Sequence, residues 1–500
     1  MDKGGDFLRK KLPIFYSALV LTGVNLLLRF VSTGFQVYLS ARIGAAGIGL
    51  LQLVLSVGVL ALTVGMAGIR TATMYLTASQ LGRKRPENIR WVLTGCIQYS
   101  LVCSCIVSII LWALSEQVAR LWIGEPAVAS TVRLFALFLP INCLCGVLCG
   151  YFTAANRIGT LAAVEVAEQI CSIALTLGLL MKVGDNAVRA CRAVVTGSGL
   201  SSCVTLCALS ILRWQEHSPS GPRLPMGRQL MQTAVPLAIA DDFKSGISTT
   251  ENLMVPKRLA LFAGTADPLA EFGTVCGMVF PVLMFPAAIL YALAELLIPE
   301  LARCHAAGSQ SRIRYLAYRS LRLAILYGCL FAGAQFLFSP QLCLALYQSD
   351  AAGYHLRHYA LLIPMLYCDA VTDAMVKGLG QQTACVRYNI FTSTLDVIFL
   401  FLLLPRYGMA GYFFSFLVTH AINFILSLRR LLKLTGPVLS PAMPLLTLLG
   451  TAIAVWLAGM LEDIFLCGLV YVLTLGSLLV LFRIVGKEDL RWLRSLIQKK

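Results

Sequence analysis

The sequence predicts an all-α polytopic membrane protein. Hydrophobic residues fill 58% of its 500 positions, and charged residues only 13%. Soluble domains run at roughly 45–50% apolar and about 25% charged. The mean hydropathy is +0.78. The apolar residues fall in continuous runs, about fourteen of them near the roughly 20 residues needed to cross a hydrocarbon core of about 30 Å. They do not alternate with polar residues, which excludes a transmembrane β-barrel.

The charged opening, residues 1–11, precedes an apolar run at 12–39. That run is longer than a signal-peptide core and has no clear cleavage site, so a first spanning helix is expected rather than a cleaved leader. Further spans are expected at 47–76, 89–114, 127–153, 160–182, 187–213, 229–256, 269–302, 313–338, 355–379, 384–404, 408–430, 441–461 and 464–485. The positive-inside rule orients them. With the N-terminus cytoplasmic, the inner segments collect Arg9, Lys10 and Lys11, then Arg83, Lys84, Arg85 and Arg90, then Arg303, Arg312 and Arg314. Arg429, Arg430 and Lys433 follow on the same side, as do the basic residues of the tail. An even number of spans puts both termini in the cytoplasm of a cell-membrane protein. The tail 487–500 sets Leu490, Trp492, Leu493, Leu496 and Ile497 among basic residues, the pattern of an amphipathic helix on the inner leaflet or of a polar end.

The net charge of +17 is accounted for by inner-loop Lys and Arg, and nucleic acid is not expected as a partner. The 17 cysteines lie mostly inside apolar runs, as Cys143, Cys145 and Cys149 do, and read as small packing residues. No CxxC pair and no ligand spacing among the five histidines suggests a metal, and no cofactor is expected.

Charges within spans carry more information, because each costs about 2.5–3.5 kcal/mol at the bilayer centre on insertion scales. The first span places Thr22, Asn25, Arg29, Ser32, Thr33 and Gln36 on one face. The seventh does the same with Asp241, Lys244, Ser248 and Glu251. Arg29 is followed by Arg42 at the end of its span, as Lys244 is by Arg258. This offset suggests two parallel six-helix lobes and a terminal pair of spans, with substrate bound between repeats. The expected organisation is 1–228 for the first lobe, ending in a cytoplasmic linker at about 214–228, 229–433 for the second, and 434–500 for the last two spans and tail.

Two central cations suggest a wet cavity that attracts an anion. Arg offers bidentate contacts to phosphate and Lys a point charge. Pairing with carboxylates, such as Asp241 or Asp242 beside Lys244, is the rival account. Arg70 either snorkels to the interface or stands at the cavity mouth. The candidate cavity set is Arg29, Lys244, Asn25, Ser248, Glu251 and Arg70. Asp369, Asp373 and Lys377, each four apart, form either an ion or proton relay or an intrahelical pair. Glu165 and Glu168 read as a solvated inner helix end. Pro236, Pro256, Pro281, Pro286 and Pro299 crowd the seventh and eighth spans, which makes these candidates for bending elements.

At these spans the sequence resembles a known family. Asn25 to Arg29, Arg42 to Leu50, the segment Ser245-Gly246-Ile247-Ser248-Thr249-Thr250-Glu251-Asn252-Leu253-Met254-Val255-Pro256-Lys257-Arg258-Leu259, and the later Gly277 to Pro281, Phe285-Pro286 and Leu297 to Glu300 carry the likeness. They resemble the stage V sporulation protein B-like, polysaccharide-transporter branch of the MOP exporter superfamily. That superfamily also holds lipid II flippases, O-antigen flippases and MATE multidrug antiporters. The resemblance implies a MATE-like fold and export of a polyprenyl-diphosphate-linked saccharide, in sporulation a peptidoglycan precursor. It departs from the family at Gly68-Ile69-Arg70, where relatives often carry proline in place of Arg70.

A monomer is expected, with membrane lipids and a lipid-linked sugar diphosphate as partners, and with cell-wall synthesis enzymes as further candidates. Three alternatives stand beside the flippase. A cation-coupled drug antiporter calls for a carboxylate-lined cavity. A non-transporting scaffold is the second. A membrane enzyme is disfavoured because no Ser/His/Asp constellation or large loop is present. A phosphate-binding G-x-x-x-x-G-K-[ST] motif is absent too.

Overall fold

The computed structural model describes residues 5–82, 85–155, 157–182, 186–215 and 227–484. The tail 487–500, Arg83 and Lys84, most of the 214–228 linker and the side chain of Asn25 lie outside the described residues. Fifteen α-helices of six residues or more make up the described chain. They are α1 (Gly5–Met66), α2 (Ile69–Gly82), α3 (Ile89–Ala113), α4 (Ala129–Ala154), α5 (Ile158–Leu180), α6 (Ala187–Trp214) and α7 (Gly227–Leu259). Then come α8 (Pro268–Gly273), α9 (Ala287–Ala306), α10 (Gln310–Tyr347), α11 (Asp350–Ala360), α12 (Ile363–Gly378), α13 (Gln382–Thr435), α14 (Ala442–Ala458) and α15 (Ile464–Leu481).

Among the described residues, eight helices are long and apolar enough to cross a membrane, or ten with two bent pairs counted as one span each. The remaining segments are recognisable once the breaks are read. Helix α1 is interrupted at Gly44 (φ 70°) and α13 at Gly408 (φ 56°). Both glycines occupy the left-handed region, where a Cβ is penalised, so each long helix supplies two spans. Helix α7 is 33 residues long but too polar for a purely apolar count, and α14 is 17 residues long. With these included, helix covers most of each of the fourteen expected segments among the described residues, although the one expected at 47–76 is broken at Ala67 and Gly68.

The bends fall only partly where the prolines predict. Residues 268–284 meet α9 at 64°, with Phe285 and Pro286 at the break. Helix α7 carries Pro236 and Pro256 without interruption. A second bend of 58° separates α11 from α12, and Pro364 opens α12 there. The sequence placed Pro364 inside one continuous span. Proline fits the first turn of a new helix because its missing N–H would be unpaired anyway.

By contacts the chain divides into two compact units: residues 1–277 with 397–409, and residues 278–396 with 410–500. In lipid, apolar burial does not drive helices together, so close packing of small residues must. The first unit shows this repeatedly. A Cβ on Gly150 of α4 would lie 2.5 Å from the Arg70 carbonyl of α2. One on Gly197 of α6 would meet Thr176 Oγ1 of α5 at 2.2 Å. One on Gly273 of α8 would meet the Ala45 carbonyl at 2.0 Å. A π-turn, Thr274–Val279, follows α8, and its Gly277 carbonyl accepts from Gln36 Nε2 at 2.8 Å. In the second unit, Tyr471 of α15 is buried and donates its hydroxyl to the Leu330 carbonyl of α10 at 2.8 Å.

Candidate substrate cavity

The turn between α1 and α2 builds one wall of the site. Ala67 and Gly68 both have positive φ (44° and 70°), which ends α1 and restarts the chain as α2. Gly68 sits against α7, where a Cβ would approach the Ala234 carbonyl to 2.5 Å. The next turn of α2 carries Arg70, held near α4 by the small Gly146 and Gly150. On the other wall, the end half of α1 is tied to α7 through Ser56. Asn252 Nδ2 donates to Ser56 Oγ at 3.0 Å, and Thr249 Oγ1 donates to the Ser56 carbonyl at 3.2 Å.

Between these walls lies a cavity of about 640 Å³, wholly within the first unit. Its polar lining includes Gln52, Ser56, Thr63, Arg70, Thr71, Asp241, Lys244, Ser245, Ser248, Thr249 and Asn252. Leu55, Val59, Leu62 and Met66 supply the apolar part. Two cations and one carboxylate give the lining a formal charge of +1. Lys244 and Asp241 are exposed, and among the described residues Lys244 makes no ion pair within 4.0 Å. The pairing with Asp241 or Asp242 weighed from the sequence is therefore absent at contact distance among the described residues.

Of the six candidate cavity residues, Arg70, Lys244 and Ser248 line this space together. Arg29 and Glu251 are half-buried and are not part of its lining. The polar face around Arg29 does packing work. Ser32 Oγ accepts from Gln169 Nε2 of α5 at 3.2 Å, Gln36 reaches the π-turn, and Thr33 Oγ1 donates to the Arg29 carbonyl at 2.9 Å. Arg258, at the end of α7, stacks 3.5 Å from the Phe401 ring and donates to the Phe401 carbonyl at 2.9 Å.

The three charges of α12 separate into two arrangements. Lys377 Nζ lies 2.6 Å from Asp373 Oδ2. Asp369 is held instead by Asn423 of α13, whose Nδ2 donates to its carboxylate at 3.0 and 3.2 Å.

Two further polar groups were not picked out as sites from the sequence. Asp396 accepts from the Ser415 hydroxyl and from Thr419 Oγ1 at 3.3 Å, across the Gly408 break in α13. The signal was available, since Asp396 is an acidic residue in mid-span. Glu168 was read as part of a solvated inner end, and the structure corrects this. Its Oε1 lies 3.3 Å from Ser202 Oγ, whose single proton it shares with Asn142 Oδ1 at 2.9 Å and the Ser198 carbonyl at 3.0 Å. The reason is the close α5–α6 approach at Gly197, which brings Ser201 and Ser202 of α6 against α5.

Comparisons with known proteins agree with this architecture. Residues 21–177 match the MatE family model. Stage V sporulation protein B of Bacillus subtilis (strain 168) is 23% identical over 411 residues, covering 79% of this chain and 78% of that protein. The lipid II flippase MurJ, in an inward closed conformation, superposes with a TM-score of 0.68 at 12% identity, over 94% of this chain and 99% of the other. An inward-facing multidrug resistance MATE family transporter of the MOP superfamily gives 0.65 at 16% identity, over 84% and 100%. The chain thus has the fold of the MATE transporters and of MurJ, that of an all-helical multi-pass membrane protein.

Proposed function

We propose that the protein is a flippase that moves a polyprenyl-diphosphate-linked saccharide, an envelope polysaccharide or peptidoglycan precursor, across the cell membrane. The observation that carries this reading is the pair of cations, Arg70 and Lys244, lining one cavity with a single carboxylate. A diphosphate presents several acceptor oxygens, which suits a guanidinium fork and a mobile ammonium placed together. Arg29 supplies a further mid-span charge, and Ser245, Ser248 and Asn252 supply donors of the kind that hold sugar hydroxyls. Two lobes, 1–228 and 229–433, alternate access to this space, with 434–500 as an addition. The similarity to a lipid II flippase and to stage V sporulation protein B supports the substrate class. Both termini face the cytoplasm, and membrane lipids and cell-wall enzymes are its neighbours.

The test is translocation in proteoliposomes. A fluorescent polyprenyl-diphosphate saccharide placed in one leaflet should become accessible in the other faster than in protein-free vesicles. Equal rates in the two preparations would remove the proposal.

A further inference from the structure

The second unit contains a cavity that the transport reading does not use. It has a volume of about 630 Å³ and lies between α10, the α11–α12 bend and α14. Ala332 and Gly333 of α10, Ala452 of α14 and Gly459 just after α14 hollow it out. Leu361, Leu448, Trp456 and Met460 form its rim, exposed by 61%, 47%, 64% and 62%. Arg357 is the one charged residue in the lining. Its guanidinium sits 4.5 Å from the centre of the Phe336 ring, which pins it at the trough. Among the described residues it has no carboxylate within ion-pair distance.

We infer that this trough binds one anionic phospholipid of the surrounding bilayer, its acyl chain along α14 and its phosphate on Arg357. The dimensions agree with a single leaflet. From Leu448 to the end of α14 at Ala458 is about 15 Å of helix, half of a core of about 30 Å, and Met460 carries the lining just past that end. The polar end of the trough is also marked. Arg357 lies about 10 Å of helix beyond Asp350 at the start of α11. Met460 lies just before Glu462 and Asp463 in the α14–α15 turn. A long cationic side chain at that level reaches the headgroup region while its stem stays on apolar surface. Charge complementarity selects the occupant: a cation with no acidic partner favours a phosphate headgroup of net negative charge over a zwitterionic one.

Trp456 stands on the rim and reports occupancy. The full chain is prepared with its other five tryptophans changed to phenylalanine and reconstituted in vesicles of phosphatidylcholine and phosphatidylglycerol. Either lipid carries dibrominated acyl chains that quench tryptophan on contact. One basic residue at an anionic surface is worth about fivefold in lipid preference. Quenching should therefore show phosphatidylglycerol preferred by about fivefold at Trp456. Arg357→Gln should bring that preference to about one, and Arg357→Lys should retain most of it. Equal quenching by both lipids in the parent protein, or a preference unchanged in Arg357→Gln, would overturn the assignment. So would displacement of brominated phosphatidylglycerol by an equimolar polyprenyl phosphate, which would make the trough part of the substrate path. Each variant is checked for a monodisperse peak and an unchanged melting temperature, and Arg357→Lys separates loss of charge from loss of fold.

Discussion

Replacing Lys244 by glutamine removes one of the two cations facing the 640 Å³ cavity and leaves Arg70 in place. The magnitude follows from where Lys244 stands. It is exposed to the cavity and has no ion pair among the described residues, so its charge works in a wet environment of high effective dielectric. Two unit charges about 5 Å apart interact by roughly 1 kcal/mol in water and about 3 kcal/mol at an effective dielectric of 20. An exposed ammonium belongs near the lower bound, so losing it should cost about 1–2 kcal/mol, or roughly 5- to 30-fold in Kd for a polyprenyl diphosphate. Stability should change by less than about 0.5 kcal/mol, because no contact is lost and no buried charge is stranded. Arg70→Gln should weaken binding by at least as much, since a fork geometry is lost with the charge, and Arg70→Lys should recover part of it. Binding is measured by microscale thermophoresis on protein in nanodiscs, alongside a melting curve. A Lys244→Gln protein with wild-type affinity and melting temperature would refute the reasoning that this cation faces the ligand.

Other outcomes follow from packing and pairing. Gly273→Ala puts a methyl group 2.0 Å from the Ala45 carbonyl, and overpacking of this kind costs about 1–3 kcal/mol. Its melting temperature should fall clearly, whereas Gly95→Ala, with nothing within 4 Å of the added Cβ, should leave it unchanged; equal behaviour would contradict the α1–α8 crossing. Asp373→Asn leaves Lys377 without its 2.6 Å partner, and Asp373→Asn with Lys377→Met should recover stability through a coupling of about 0.5–1.5 kcal/mol. Purely additive effects, together with a changed cation or pH dependence of transport, would favour a relay. Reporter fusions after Lys500 and within the Arg83–Arg85 loop should both read cytoplasmic, and an external signal from either would reverse the orientation.

Much of the architecture was legible because helix length and apolarity are local properties. The short gaps expected after 39 and after 404 correspond to the breaks at Gly44 and Gly408. The one-face stripe of α7 was equally legible, and Lys244 and Ser248 do line a cavity. What periodicity cannot give is which stripe faces which. The sequence set Lys244 with Arg29 at the centre and Arg70 at the mouth; the cavity lining holds Lys244 and Arg70 without Arg29, through a turn at Ala67 and Gly68 that falls inside a continuous apolar run. The Asp396–Ser415–Thr419 group was missed because its members lie on opposite sides of the Gly408 break, where helical spacing no longer relates them. The bend at Pro364 went unseen for a similar reason, since a proline at a new N-terminus looks in sequence like a proline within one span.

The claim at the centre is that the moved molecule is recognised as an anion, and headgroup choice in transport tests it most directly. Wild-type proteoliposomes are given three compounds: a polyprenyl-diphosphate saccharide, the same polyprenyl saccharide joined through a neutral linkage, and a lipophilic organic cation. The expected result is translocation of the diphosphate compound alone, at a rate that falls in Arg70→Gln with Lys244→Gln. Transport of the organic cation, with the diphosphate compound left at the rate of protein-free vesicles, would contradict the account.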